Sequence, residues 1–282
     1  MASLFATAAG GSPWSAIRRP EGTLVAILAL ATLMACAGLV WWGDTPLARW
    51  LMREAVATTW PRHVLFVFDW TLMCTAMMLP TALPVLAAMQ RVVARQAHPG
   101  RLVLVCAVAF LAVWAVSGVA VLLAHQGLYK VWVDWPLASR HGNSIVGAAM
   151  ALGGAYLWSP MAQRCVTACR TPMGFVARFW TGRPDVMGQA LRTGAAYGLS
   201  CLGCCWPLMV AMSMLGLSDP VWMVAAAVFM ALQKQHVAGL WLTRALGLLA
   251  ILGGLALSQG WLPSNYVAPT WSSEYWANCQ SR

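Results

Sequence analysis

Charge is scarce in this chain, and acid scarcer than base. Only 9% of the 282 residues are Asp, Glu, Lys or Arg, against about 25% in soluble globular proteins, so no stretch carries enough charge to cover a water-facing domain. With 8 acidic side chains in the whole sequence, carboxylates are too sparse for the paired general acid and base of ordinary hydrolases. Familiar catalytic and cofactor signatures are missing too: no Walker motif, no GxGxxG opening a βαβ unit, no HExxH and no CxxCH haem attachment sequence. No residue is therefore assigned a catalytic role. Metal redox chemistry is not excluded by these absences. Fixed-period repeats and low-complexity tracts are absent as well.

Hydrocarbon fills the place of charge. Hydrophobic residues make up 60% of the chain, and they fall into seven runs separated by basic turns, which predicts an all-α, polytopic transmembrane helix bundle forming one membrane domain over residues 1–282. The runs are Gly22 to Gly43, Val64 to Met89, Leu102 to Ala124, Ser144 to Met161, Gly194 to Leu217, Val221 to Leu232 and Val237 to Leu257. Most approach or exceed the about 20 residues that a helix needs to cross the hydrocarbon. The sixth is short, so a re-entrant segment and six spans is the alternative. Gly22 to Gly43 follows Arg18 and Arg19 like a secretory signal, but it exceeds an h-region of about 7–15 residues and no small-residue cleavage site closes it. Residues 171–187, with Pro172, Arg178, Arg183, Pro184 and Asp185, read as a loop, and 263–282 as a polar tail rich in Trp and Ser.

The net charge of +10 reflects basic loops between apolar runs, a pattern of positive-inside topology facing anionic headgroups and not of nucleic-acid binding. Counted with the N-terminus inside, the inner loops hold ten basic residues and the outer loops six. The expectation is a multi-pass protein of a bacterial inner membrane with a cytoplasmic N-terminus. Seven spans would leave the tail outside, six inside.

Five of the nine cysteines fall into two tight groups. Gly198 to Met214, GLSCLGCCWPLMVAMSM, holds Cys201, Cys204 and Cys205, which share one helix face because positions i, i+3 and i+4 are neighbours. Cys165 and Cys169 are likewise four apart. A disulfide scaffold belongs to small secreted chains; clustered thiols in an apolar helix suit a soft metal. Facing each other, the two groups would supply a shared site. Counting about 1.5 Å per residue, however, Cys165 lies near a membrane boundary and Cys201 roughly 10–16 Å within it, so they meet only if the chain bends inward near Pro160. Packing is the competing reading for each group, and the expected one for Cys36, Cys74 and Cys106, solitary in apolar runs.

Met73, Met77 and Met78 in the second run add thioethers at helical spacing. Methionine so placed is commonly filler, but paired thioethers also bind Cu(I), and on this topology they lie at the same mid-membrane depth as Cys201. His236, near the end of the sixth run, could complete a Cys/His set. Among the remaining ionisable residues in or near spans, Arg192 and Lys234 are expected to snorkel to the interface, while Asp69 and Arg244 are candidates for a pair or polar pathway.

Three ordered motifs carry a family resemblance: Trp70-x2-Met73-x3-Met77-Met78-Leu79-Pro80; Tyr156-x3-Pro160-x4-Cys165-x3-Cys169-Arg170-x-Pro172; and Cys201-Leu202-Gly203-Cys204-Cys205-Trp206-x2-Met209. Covering about Trp70 to Lys234, the combination resembles the bacterial DUF2182 family, described as predicted metal-binding integral membrane proteins. The resemblance departs at Leu157, Ala162 and Gln233, where the family pattern has Gln, Lys and often Glu, so polar groups around the motifs are lost while the sulfur set is intact. Residues and resemblance together predict a membrane protein handling copper(I), with zinc as the alternative metal, at a Cys/Met-rich site, for transport or for delivery. An accessory subunit of a larger membrane complex and a thiol-redox membrane protein are the rival expectations. The expected partners are the lipid bilayer, the metal ion and, in the rival reading, another membrane protein complex.

Overall fold

The computed structural model describes residues 30, 32–34, 36–38, 60–134, 142–182, 184–214 and 220–261. Most of the expected first span and the tail 263–282 lie outside them. Every element among the described residues is an α-helix: α1 (Trp60–Val93), α2 (Pro99–Asp134), α3 (Gly142–Leu157), α4 (Pro160–Arg170), α5 (Pro172–Phe179), α6 (Val186–Met214), α7 (Pro220–Gln235) and α8 (Gly239–Ser258). α1, α2, α6 and α8 are each long and apolar enough to cross a membrane, and α3 with α4 makes a fifth if that bent pair is one span. α7 does not join them: its 16 residues rise about 24 Å, short of the about 30 Å hydrocarbon thickness.

The helices touch where side chains are small or absent. α3 and α8 run antiparallel with Gly147 against Gly254 and Gly154 against Gly247. A Cβ on Gly154 would stand 2.5 Å from the Gly247 carbonyl oxygen, so only a paired glycine seam lets these backbones approach so closely. Gly194 and Gly198 open α6 to α2 in the same way, against Cys106 and Val113. α1 is tied to α2 by Trp70, whose Nε1 donates to the Trp114 carbonyl and to Ser117 Oγ, each at 3.2 Å, and whose ring fills the space left by Gly118.

Between α3 and α4 the chain turns by 61°. Ser159 caps the new helix, accepting from the Ala162 N–H at 3.2 Å, and Pro160 sits in its first turn. A proline there has no N–H to lose from the new helix, but it cannot continue the old one. This is the inward bend that the cysteine spacing required. The reading of 171–187 as a loop is corrected: α5 occupies 172–179, again with proline at its start, and buries Phe175 and Val176. α6 begins at Val186, eight residues before the run that marked it in sequence.

Candidate functional site

The thiol cluster lies where α1, α4, α6 and α7 converge, within a core to which α2 and α5 also contribute. In α6, Pro207 has no N–H for the Gly203 carbonyl four residues back. The Tyr156 hydroxyl of α3 takes that place, donating to Gly203 O at 2.9 Å, and its ring packs on Trp206 with centroids 5.1 Å apart. Gly203 has a second consequence: a Cβ there would lie 2.7 Å from Cys165 Sγ, so the missing side chain is what seats that thiol on α6.

Cys201, Cys204 and Cys205 all face inward and are buried. Cys204 Sγ lies 3.3 Å from Cys205 Sγ and 3.1 Å from the Cys201 carbonyl oxygen. Cys201 and Cys205 interact side chain to side chain, and Cys169, carried in by α4, does the same with Cys204. The two thiol groups of the sequence are thereby brought together. Cys74 on α1 is an electrostatic neighbour of Cys201 and Cys205, so a residue expected only to pack belongs to the sulfur cluster's wall. Met77 and Met78 are buried in the same core with Met73 packed at its edge; Met209 is there too.

Lys234 overturns its sequence reading. It does not snorkel: it is 3% exposed, and its Nζ donates to Thr81 Oγ1 at 2.8 Å and to Cys201 Sγ at 3.1 Å. Thr81 in turn donates to the Met78 carbonyl at 2.8 Å, and the Tyr197 hydroxyl reaches the Thr81 carbonyl at 3.5 Å. A buried ammonium is costly unless paired and fully hydrogen-bonded. Its partners here are a hydroxyl and a sulfur. Gln233, also buried, donates to Thr243 Oγ1 at 2.8 Å and fixes the end of α7 to α8.

The other candidates stand apart. His236 is exposed, and its Nδ1 accepts from the Ala238 N–H at 3.2 Å in the turn between α7 and α8. Its ring is used for the turn and does not reach the thiols. Arg244 donates to Gln163 Oε1 at 2.9 Å, while half-buried Asp69 sits on α1, so the expected Asp69–Arg244 pair does not form. Arg192 is exposed, as a snorkelling residue should be. Arg170 donates to the Val237 carbonyl at 2.9 Å, pinning α4 to the same α7–α8 turn. Among the described residues no set of three or more Cys, His, Asp or Glu is already arranged to hold a metal ion; the sulfurs meet as contacting pairs.

A family model described as PpoB2, copper chaperone, matches residues 67–257. The chain belongs to this copper chaperone family. The match spans every element of the thiol cluster, from Cys74 on α1 to Lys234 on α7. No curated protein and no solved structure matches the chain. Sequence reasoning named Lys234 and Gln233 but missed their burial; the one signal for it was a Gln-Lys pair ending an otherwise apolar helix.

Proposed function

We propose that this copper chaperone family member is a multi-pass membrane protein that carries Cu(I) as cargo and passes it to an acceptor protein. The site would be Cys169 of α4 with Cys201, Cys204 and Cys205 of α6. Thiolates are soft ligands that suit Cu(I), and Cu(I) binds stably between two of them. The sulfur pairs here supply that arrangement. The observation that carries the reading is the convergence of thiols from two helices on one buried ammonium, Lys234. A metal held by two thiolates has one net negative charge, which Lys234 balances without a solvent counter-ion. Zinc, the alternative metal, is served by four such thiolates, but the family description favours copper.

Sited in a bacterial inner membrane, with a cytoplasmic N-terminus, the protein would place its arginine-bearing turns toward the cytoplasm. That topology rests on loop charge alone. The 3.3 Å Cys204–Cys205 contact is also what a thiol-redox protein would show. Titration of the purified full chain in detergent micelles with Cu(I), against the chromogenic chelator bicinchoninate, decides between them. One tightly held Cu(I) per chain is expected, lost in Cys201→Ser and in Cys204→Ser. Failure to compete with the chelator, in a protein with fully reduced thiols, refutes the copper reading; a disulfide that cycles with a quinone supports the redox one.

A further inference from the structure

The thiol cluster is sealed from solvent, so its cargo needs a route. α4 supplies one. Met161, Cys165 and Cys169 stand four residues apart along this helix, and each step of four advances about 40° round a helix of 3.6 residues per turn. The row therefore drifts about 80° from first to last. Exposure follows the drift: Met161 is 65% exposed, Cys165 is half-buried, and Cys169 is 3% exposed. The inner end of the row touches Cys204. Its middle member sits in the hollow over Gly203, the residue preceding Cys204.

The outer face of α4 also carries exposed Arg164 and Thr167. A guanidinium in acyl chains is expensive, so this face meets water or headgroups. Soft sulfur donors thus lead from a wetted helix surface to the buried cluster in steps of about 6 Å along the helix.

We propose that Met161 and Cys165 form a loading ladder, by which a soft monovalent cation passes from solvent to Met161, to Cys165, to Cys169 and into the cluster. The inference rests on the cargo reading above and adds its route. Each transfer forms one metal–sulfur bond and breaks another, and the ion's oxidation state does not change. At the step onto Cys165 the thiol proton leaves to water, and at the step onto Cys169 that residue's proton passes to the departing thiolate. At the end a second cluster thiol also binds the ion and its proton leaves to water, which gives the two-thiolate site. Cys165 is a transit position and not part of the set that holds the ion at equilibrium.

The test uses the full chain in detergent micelles, loaded from the Cu(I)–bicinchoninate complex in a stopped-flow instrument. Wild type, Met161→Leu, Cys165→Ser and Gly203→Ala are compared for end-point stoichiometry and for rate. Met161 is exposed, so its variant folds irrespective of the ladder; Gly203→Ala displaces the Cys165 thiol without removing it. Expected are unchanged stoichiometry and loading slowed about tenfold, a barrier increase of about 1.4 kcal/mol, in Cys165→Ser, with smaller slowing in the other two. A second readout needs no copper: a maleimide labels Cys165 ahead of Cys169 and Cys204, and Ag(I) in excess of one equivalent protects it. Wild-type rates in Met161→Leu and Cys165→Ser overturn the ladder. Loss of stoichiometry in Cys165→Ser also overturns it, by making Cys165 a holding ligand. If wild type takes up no Cu(I), the cargo reading fails and the ladder with it, whereas intact uptake with unlabelled Cys165 defeats the ladder alone.

Discussion

Replacing Lys234 with Met separates a functional charge from a structural one. The ammonium is buried, with Thr81 Oγ1 at 2.8 Å and Cys201 Sγ at 3.1 Å as its partners. Met keeps most of the side-chain length and removes the charge. In the free protein Cys201 can then stay a neutral thiol, and Thr81 keeps its bond to the Met78 carbonyl. With Cys201 neutral, no uncompensated charge is left in the free protein, so its stability should change little. With Cu(I) bound between two thiolates, the balance changes: one net negative charge is left in the core without a partner. An uncompensated buried charge costs about 3–5 kcal/mol. At about 1.4 kcal/mol per factor of ten, Cu(I) affinity should fall by roughly two to three and a half powers of ten. Chelator competition measures the affinity, and thermal unfolding in the same detergent measures the fold. Affinity within about threefold of wild type, well under 1.4 kcal/mol, refutes the charge argument. Parallel collapse of melting temperature and affinity refutes it too, since Lys234 would then be holding the bundle and not the cargo.

Tyr156→Phe strands the Gly203 carbonyl beside Pro207 and should lower unfolding stability by about 0.5–1.5 kcal/mol, read by thermal melting, with Cu(I) stoichiometry retained. Gly154→Val drives a side chain into the Gly247 carbonyl, 2.5 Å from the position of its Cβ; the overpacked α3–α8 seam should lose about 1–3 kcal/mol or more in the same assay. Stripping Cu(I) with excess bathocuproine should lower the melting temperature reversibly, since free ligand at about 100 times its Kd contributes about 2.7 kcal/mol to the folded state. Met77→Leu preserves core volume and should cost less than about 1.5 kcal/mol; a fall in Cu(I) affinity with the fold intact would identify that thioether as a ligand, and unchanged affinity would leave it a packing residue.

The helical architecture was legible because lipid-length apolar runs leave few alternatives, and α1, α2, α6 and α8 fall on four of them. Span number was less legible. The run at 221–232 has the composition of a span, but the 16 residues of α7 are too few to be one. α5 was hidden by its own punctuation. Two prolines and scattered charge in 171–187 suggest a loop, yet proline in the first turn of a helix is favourable, and the eight residues of α5 are too few to show a period. The meeting of Cys169 with Cys204 was legible as a condition, that the chain bend near Pro160, and the Ser159-Pro160 start of α4 satisfies it. Lys234 was not legible. Snorkelling assumes a polar medium within reach of the side chain, and whether a helix end faces water or is roofed by other helices depends on contacts far away in sequence. Here Thr81 lies 153 residues from Lys234 and Cys201 lies 33.

The same distant contacts gather charged groups around the cluster. Lys234 bonds Cys201 from the last turn of α7, two residues before exposed His236, and Arg170 grips Val237 in the turn that follows. α4, with exposed Arg164, packs against this end of the hairpin formed by α7 and α8. In a membrane such groups are expensive unless paired or wetted, and here Lys234 and Arg170 each have hydrogen-bond partners. By ending at Gln235, α7 sets Lys234 in its last turn against Cys201. On the proposed copper reading, a longer α7 would carry its terminal lysine past the thiols and leave a two-thiolate Cu(I) site without a balancing charge.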